Sequence, residues 1–181
     1  MEVQPIRDLG KIEEIKMRLN EKSDRDFLLF FFGINTGLRI SDMLKLRVSD
    51  VKNKVHIELV EQKTGKNKRF KINPKLREYL EQYTMDKEDD EFLFKSREGH
   101  NRPITRIQAY NILKNVAKEV GLNDNIGCHT MRKTMGYWHY KRNGDVAILQ
   151  KIFNHSAPSV TLRYIGISQD IIDESMEDFC L

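Results

Sequence analysis

The stretch that most restricts how this chain can fold is residues 27–34, which read Phe-Leu-Leu-Phe-Phe-Phe-Gly-Ile without a polar side chain. A helix built from it is apolar on most faces, so it must be surrounded by other elements. Eight residues fall far short of the roughly 20 that cross a bilayer, and no charged leader with a cleavage site precedes them. The reading is a central buried helix in a soluble protein with no membrane partner. Ser23 and Asp24 cap its start, and Thr36-Gly37 supplies the break at its end.

The rest of the chain arranges itself around that helix. Leu9, Ile12, Ile15 and Leu19 recur at helical spacing before it, and a short helix over 41–46 follows it. Val55, Ile57 and Leu59 then alternate with polar residues. The turn Thr64-Gly65-Lys66-Asn67 comes next, and Phe70 and Ile72 resume the alternation, which predicts a β-hairpin with a basic tip. Pro74 opens a helix carrying Leu76, Tyr79, Leu80 and Tyr83, and Phe92-Leu93-Phe94 is expected to add a strand to the sheet. Thr105 caps a long helix through Ile107, Tyr110, Leu113, Val116, Ala117 and Val120 to Gly121. His129 begins a helix through Met131, Met135 and Trp138 to Gly144. Val146, Ile148, Leu149, Ile152 and Phe153 form another, Pro158 opens a short one with Tyr164, and Ile171, Ile172, Met176 and Phe179 mark a last amphipathic helix. The fold class is mainly α with a small antiparallel β-sheet (α+β).

With 181 residues, 39% of them hydrophobic, one core and one domain over 1–181 are expected. Charged residues make up 32% with a net charge of only +4. The acids gather at 86–91 and 170–178, which leaves the chain between those runs and the segment 63–75 basic, as a DNA-facing surface with acidic edges would be. The two cysteines, Cys128 and Cys180, form neither a disulfide framework nor a paired metal motif. A reducing cytoplasm fits them, and no metal site is expected: His129, His155 and Cys128 lack the paired ligands of structural zinc.

Four pieces carry chemistry: Thr36-Gly37-Leu38-Arg39-Ile40-Ser41-Asp42, Lys63-Thr64-Gly65-Lys66, His129-Thr130-Met131-Arg132, and Asn154-His155-Ser156 followed by Thr161-Leu162-Arg163-Tyr164. A phosphodiester under attack gathers negative charge on its non-bridging oxygens, and the guanidiniums of Arg39 and Arg132 can each donate paired hydrogen bonds there. They would take a metal ion's place. Arg132 lies one helical turn from His129, so both side chains leave one helix face and can converge on one phosphate. A tyrosine, with a pKa of about 10, needs help to attack phosphorus. His129 and His155 are the available proton acceptors and donors. A departing alkoxide needs a proton, and a lysine on the basic hairpin can supply it.

In order and content these pieces resemble the tyrosine recombinase (phage integrase) family, over Thr36 to Tyr164. The resemblance implies the catalytic-domain fold of that family and a site-specific recombinase or integrase that needs no metal, ATP or other cofactor. It implies that Tyr164 attacks the phosphorus, forms a 3′-phosphotyrosyl bond and expels a 5′-hydroxyl. Arg39, Lys63, His129, Arg132, His155 and Tyr164 would form the catalytic set, with Lys63 at the position of the acid and His155 hydrogen-bonded to the phosphate. Lys66, Lys68 and Arg69 read as phosphate contacts. The partner is double-stranded DNA, bound by a homo-oligomer, a tetramer, joined through the C-terminal helix.

Alone, each signal has an ordinary reading: a capping arginine, a surface histidine, one of six tyrosines, a hairpin lysine kept for solubility. Their joint occurrence in family order outweighs those readings. Where the family commonly has Leu-Gly-His, this chain reads Phe153-Asn154-His155, and Asn tolerates the left-handed backbone a glycine would adopt there. The family's separate N-terminal core-binding domain is not expected here, so the chain reads as a compact stand-alone integrase or as a fragment. The tail helix reads equally as a contact to a neighbouring protomer or as a cover for its own core. Two alternatives stay open for function: a catalytically silent DNA-binding regulator of the same fold, and a strand transferase resembling type IB topoisomerases. The expected setting is the cytoplasm of a bacterium or of a phage-infected bacterial cell.

Overall fold

A computed structural model describes residues 3–63, 65–167, 175–177 and 179–180. The elements run α1 (Leu9–Lys22), α2 (Asp24–Thr36), α3 (Ile40–Met43), β1 (His56–Val60), β2 (Asn67–Lys71), α4 (Pro74–Thr84), α5 (Arg106–Glu119), α6 (Cys128–Asn143), α7 (Val146–Phe153) and α8 (Pro158–Ile165). As the apolar run of residues 27–34 demands, α2 is the hub: α1, α4, α5 and α6 all pack on it. Leu28, Leu29, Phe30 and Phe32 are buried within it.

The start and stop signals work as local chemistry predicts. The Ser23 hydroxyl accepts from the Asp26 N–H at the head of α2, and Gly37 closes the helix in the left-handed region (φ 62°, ψ 21°). Asn73 caps α4 ahead of Pro74, and Thr105 with Gln108 forms a capping box on α5. The Asp145 side chain caps α7. Asn154 ends α7 at φ 56°, ψ 47°, so the asparagine does adopt the left-handed conformation.

The main core gathers α1, α2, α4, α5, the hairpin and the first turn of α6 around Phe30, Phe32, Phe94 and Ile57. A smaller cluster of Tyr137, Leu149, Phe153, Ile165 and Ile167 binds α6, α7 and α8, with Trp138 packed against both. Trp138 also donates its indole N–H to the Ile6 carbonyl at 3.0 Å, which seats the leading segment against α6. At Gly136 a Cβ would lie 2.7 Å from the Phe153 ring and from Ile165 Cγ2, so the glycine lets α7 and α8 close onto α6.

The sheet has two antiparallel strands, pairing His56 with Lys71 through Val60 with Asn67. The expected third strand at Phe92-Leu93-Phe94 is not part of it. Phe92 instead makes an isolated bridge with Arg47, and Leu93 and Phe94 are wholly buried under α2 and α4, so the apolar triplet serves the core rather than a strand edge. The short helix occupies Ile40–Met43 rather than 41–46. Ile107 and Tyr110 lie on the outer side of α5, where Ala109, Leu113, Val116 and Ala117 are buried. Of the expected tail helix, Ile171 and Ile172 lie outside the described residues, and Met176 and Phe179 are exposed.

Candidate active site

The turn after α2 presents the first cation. Thr36 ties its hydroxyl to the Phe32 carbonyl at 2.9 Å, Gly37 reverses the chain and Leu38 is buried, so Arg39 emerges in extended conformation at the head of α3. Its Nη1 stands 2.9 Å from Glu61 Oε1. That pair is an ion contact rather than an aligned hydrogen bond, for Nη1 has no hydrogen-bond partner of proper geometry.

Arg132, on α6, is 2% exposed and joins three parts of the site. It donates to the Gly37 carbonyl and, at 3.0 Å, to the Phe153 carbonyl. Its guanidinium carbon lies 4.4 Å from the centre of the Phe153 ring, and it hydrogen-bonds to Tyr164. Burial pulls its pKa down, yet a guanidinium stays charged at any ordinary pH. One side chain thus ties the Arg39 turn, the end of α7 and the tyrosine of α8 to α6.

Tyr164 is half-buried, edge-on to Phe153 at 5.4 Å and to His155 at 5.1 Å between ring centres. The ammonium of buried Lys133 lies 5.1 Å from its ring centre. The Arg132 guanidinium and the Lys133 ammonium therefore both lie beside the phenol ring.

His155 follows the left-handed Asn154, and its backbone N–H donates to the Gln150 carbonyl at 3.0 Å. Its pKa is lowered to about 4, first by burial and then by the charges of Arg132, Arg39, Lys68 and Lys63, so the ring is neutral at neutral pH. Its Nδ1 sits 3.1 Å from the Thr161 hydroxyl, which is 3.5 Å from the Ala157 carbonyl. If that hydroxyl donates to the nearer acceptor, Nδ1, the other ring nitrogen carries the proton and can donate to a phosphate oxygen. His129, in the first turn of α6, is also held below its ordinary pKa, by loss of water on its inner side and by Arg106, Arg132, Lys133 and Arg39.

Lys63 lies exposed in the hairpin turn, close enough for its charge to act on His155. Its neighbour Thr64 is outside the described residues. Tyr164 and the turn that presents Arg39 thus meet at Arg132, His129 lies one turn away on α6, and His155 and Lys63 stand near enough for charge to act between them. The three candidate phosphate contacts divide. Lys66 is exposed, and Arg69 is exposed beside Glu58 and His56. Lys68 turns inward, its ammonium 3.0 Å from Glu61 Oε1 and bonded to the Ile152 carbonyl, because its strand position faces the protein.

Sequence reasoning missed Glu61, Asp42 and Lys133. Glu61 is 1% exposed and carries both Arg39 and Lys68 on one oxygen. The signal for it was present: Ile57 and Leu59 set the inward face of β1, and Glu61 falls on the next inward position. Asp42 is buried and accepts the Gln62 N–H at 3.0 Å, joining α3 to the hairpin. Nothing in the pattern of α6 singles out Lys133. Cys128 donates weakly to the Arg106 carbonyl, and no group of three or more His, Cys, Asp or Glu gathers as a metal cage among the described residues. No helix among them is long and apolar enough to cross a membrane.

The sequence model of the phage integrase family matches residues 9–170. The chain belongs to the phage integrase family. Membership makes it a site-specific tyrosine recombinase of the integrase type, as its similarities agree. It is 52% identical over 168 residues to the probable integrase/recombinase YoeC of Bacillus subtilis, covering 93% of this chain and 92% of that protein. To the tyrosine recombinase XerD of Corynebacterium glutamicum it is 29% identical over 83% of its own length and spans half of the relative. The crystal structure of XerA recombinase superposes with a TM-score of 0.78 at 17% identity, over 97% of this chain and 63% of that one. XerH recombinase in a post-cleavage complex with its palindromic difH substrate gives 0.74 at 16% identity, over 98% and 54%. At such identities the two structures establish the fold.

Proposed function

We propose that this chain cuts and rejoins double-stranded DNA by making Tyr164 the temporary owner of one strand end. The phenolic oxygen of Tyr164 attacks the scissile phosphorus, a P–O bond to tyrosine forms, and the bond to the 5′ oxygen breaks. The phenolic proton passes to the neutral imidazole of His129 while His155 donates to a phosphate oxygen, and Lys63 protonates the departing 5′ oxygen. Arg39 and Arg132 hold the two non-bridging oxygens as charge grows on them. The 3′-phosphotyrosyl bond keeps the energy of the broken linkage, so attack by a second 5′-hydroxyl reseals DNA without ATP or metal. The observation that supports this reading best is that one buried arginine bonds both to the turn that presents Arg39 and to Tyr164.

Lys66 and Arg69, exposed on the hairpin, extend the cationic surface toward the DNA backbone. Assembly into a tetramer on DNA through the tail, where Met176 and Phe179 stand 58% and 60% exposed, completes the proposal, as does action in a bacterial cytoplasm. The test is a nicked suicide duplex carrying the chain's own attachment sequence, to be sought among direct repeats in the DNA flanking its coding region. The unsubstituted chain is expected to give a denaturation-resistant protein–DNA adduct, and Tyr164→Phe none. An adduct that persists in the Phe variant defeats the assignment. Met176→Ser with Phe179→Ser is expected to leave the adduct but to lower the mass of the DNA complex, and an unchanged mass removes the tail from the assembly.

A further inference from the structure

The carboxylate of Glu61 lies in the midst of the cations just described, almost fully shielded from solvent, and the proposed reaction gives it no role. Its backbone is fixed at both ends of the hairpin turn: its N–H donates to the Lys66 carbonyl at 3.0 Å, and its carbonyl accepts from the Gly65 N–H at 2.8 Å. Lys63 lies inside that turn. One carboxylate oxygen meets Arg39 Nη1 at 2.9 Å and Lys68 Nζ at 3.0 Å. Lys68 in turn reaches the Ile152 carbonyl at the end of α7.

A carboxylate so placed can do one of two things to Arg39. It can compete with the phosphate for the guanidinium, or it can stand behind the guanidinium and aim it. Two observations favour aiming. The contact at Nη1 lacks hydrogen-bond alignment, so that nitrogen's donors are not spent on Glu61. Glu61 is also more deeply buried than Arg39, at 1% against 15% side-chain exposure, so of the two it is the arginine that a phosphate arriving from solvent can reach. Charge points the same way: Arg39 and Lys68 meet on one Glu61 oxygen and the charges of Arg39 and Arg132 both act on Lys68, so a buried anion between them offsets a repulsion that would drive the arginine outward.

We infer that Glu61 is a positioning residue for strand cleavage, its carboxylate aiming Arg39 at the scissile phosphate and coupling that arginine, through Lys68, to the hairpin that delivers Lys63. The inference rests on the reading of Arg39 as a phosphate ligand, and the experiment separates the two. Single-turnover adduct formation is measured with the full chain on the suicide duplex in two forms. One has an ordinary scissile phosphate; the other has a methylphosphonate there, which lacks the charged oxygen that a guanidinium must neutralise.

On the phosphate, Glu61→Gln is expected to slow cleavage about 10- to 100-fold, less than loss of a direct donor, while DNA affinity changes by no more than about threefold. On the methylphosphonate, Glu61→Gln and Arg39→Ala are both expected to come within about threefold of the unsubstituted chain. Glu61→Asp, which keeps the charge on a shorter arm, is expected to fall between. Thermal melting checks each variant, and if Glu61→Gln does not fold, Glu61→Asp carries the same two-substrate comparison. Cleavage of the phosphate at or above the unsubstituted rate would show a competitor rather than a guide. An equal deficit on both substrates would show that Glu61 does not act through Arg39. Normal cleavage of the phosphate by Arg39→Ala would instead overturn the reading beneath both.

Discussion

Arg132 and Lys63 serve the same phosphate in the proposed reaction, yet the protein holds them in opposite ways. Arg132 is sealed inside three packed helices and bonded to two backbone carbonyls and a tyrosine. Lys63 sits exposed on the turn of a two-stranded hairpin that rests on the core through Ile57 and, less deeply, Leu59. The difference teaches where preorganisation is needed. Groups that stabilise charge must be in place before the reaction, because realigning dipoles during it is costly. A proton donor to a departing strand can be brought in by the DNA groove itself, so it tolerates a mobile support.

Arg132→Ala should have the largest effect, since it strikes both sides of the comparison. It leaves buried carbonyls unpaired at about 1–3 kcal/mol each and is expected to lower cleavage by at least about 10²- to 10³-fold. Urea unfolding and single-turnover cleavage measure the two losses. An unchanged unfolding midpoint would show that the guanidinium is not the structural joint described. Lys63→Ala is expected to leave stability within about 0.5 kcal/mol while slowing cleavage about 10²-fold. A 5′-bridging phosphorothiolate, whose sulfur leaves readily without a proton, should restore Lys63→Ala but not Arg132→Ala. Rescue of both, or of neither, would erase the distinction.

The histidines sharpen the contrast through pH. His155 is held at about 4 and His129 below its ordinary value, both first by loss of water and then by neighbouring cations. In the unfolded chain both titrate near 6.5, so the unfolded state binds more protons at mildly acid pH. Their contribution to stability is complete above about 6.5 and is lost as pH falls toward 4. The melting temperature should drop across that window, and His155→Asn should flatten the drop. An unaltered slope in that variant would place the effect elsewhere. The smallest effect belongs to Asn154. Alanine there should cost about 1 kcal/mol because of its left-handed backbone, whereas glycine should be tolerated.

The helices were legible because each carries its own boundary chemistry: Ser23, Asn73, Thr105 and Gly37 act within a single turn. The six residues proposed as the catalytic set could be named because their motifs come in family order. Residues defined by three-dimensional company were harder to see. Phe92-Leu93-Phe94 has the composition of a strand, but the space beneath α2 and α4 takes it into the core. Lys68 resembles its exposed neighbours Lys66 and Arg69, and only the register of β2 turns it toward Glu61. Glu61 itself required following the alternation of β1 one residue past the strand.

The central claim is that this constellation makes Tyr164, among six tyrosines, the nucleophile. Proteolysis of the trapped protein–DNA adduct, nuclease trimming and peptide mass spectrometry test it most directly. The expected result is a single nucleotide-bearing peptide with the modification on Tyr164. A linkage on Tyr137, Tyr140 or any serine would contradict the account.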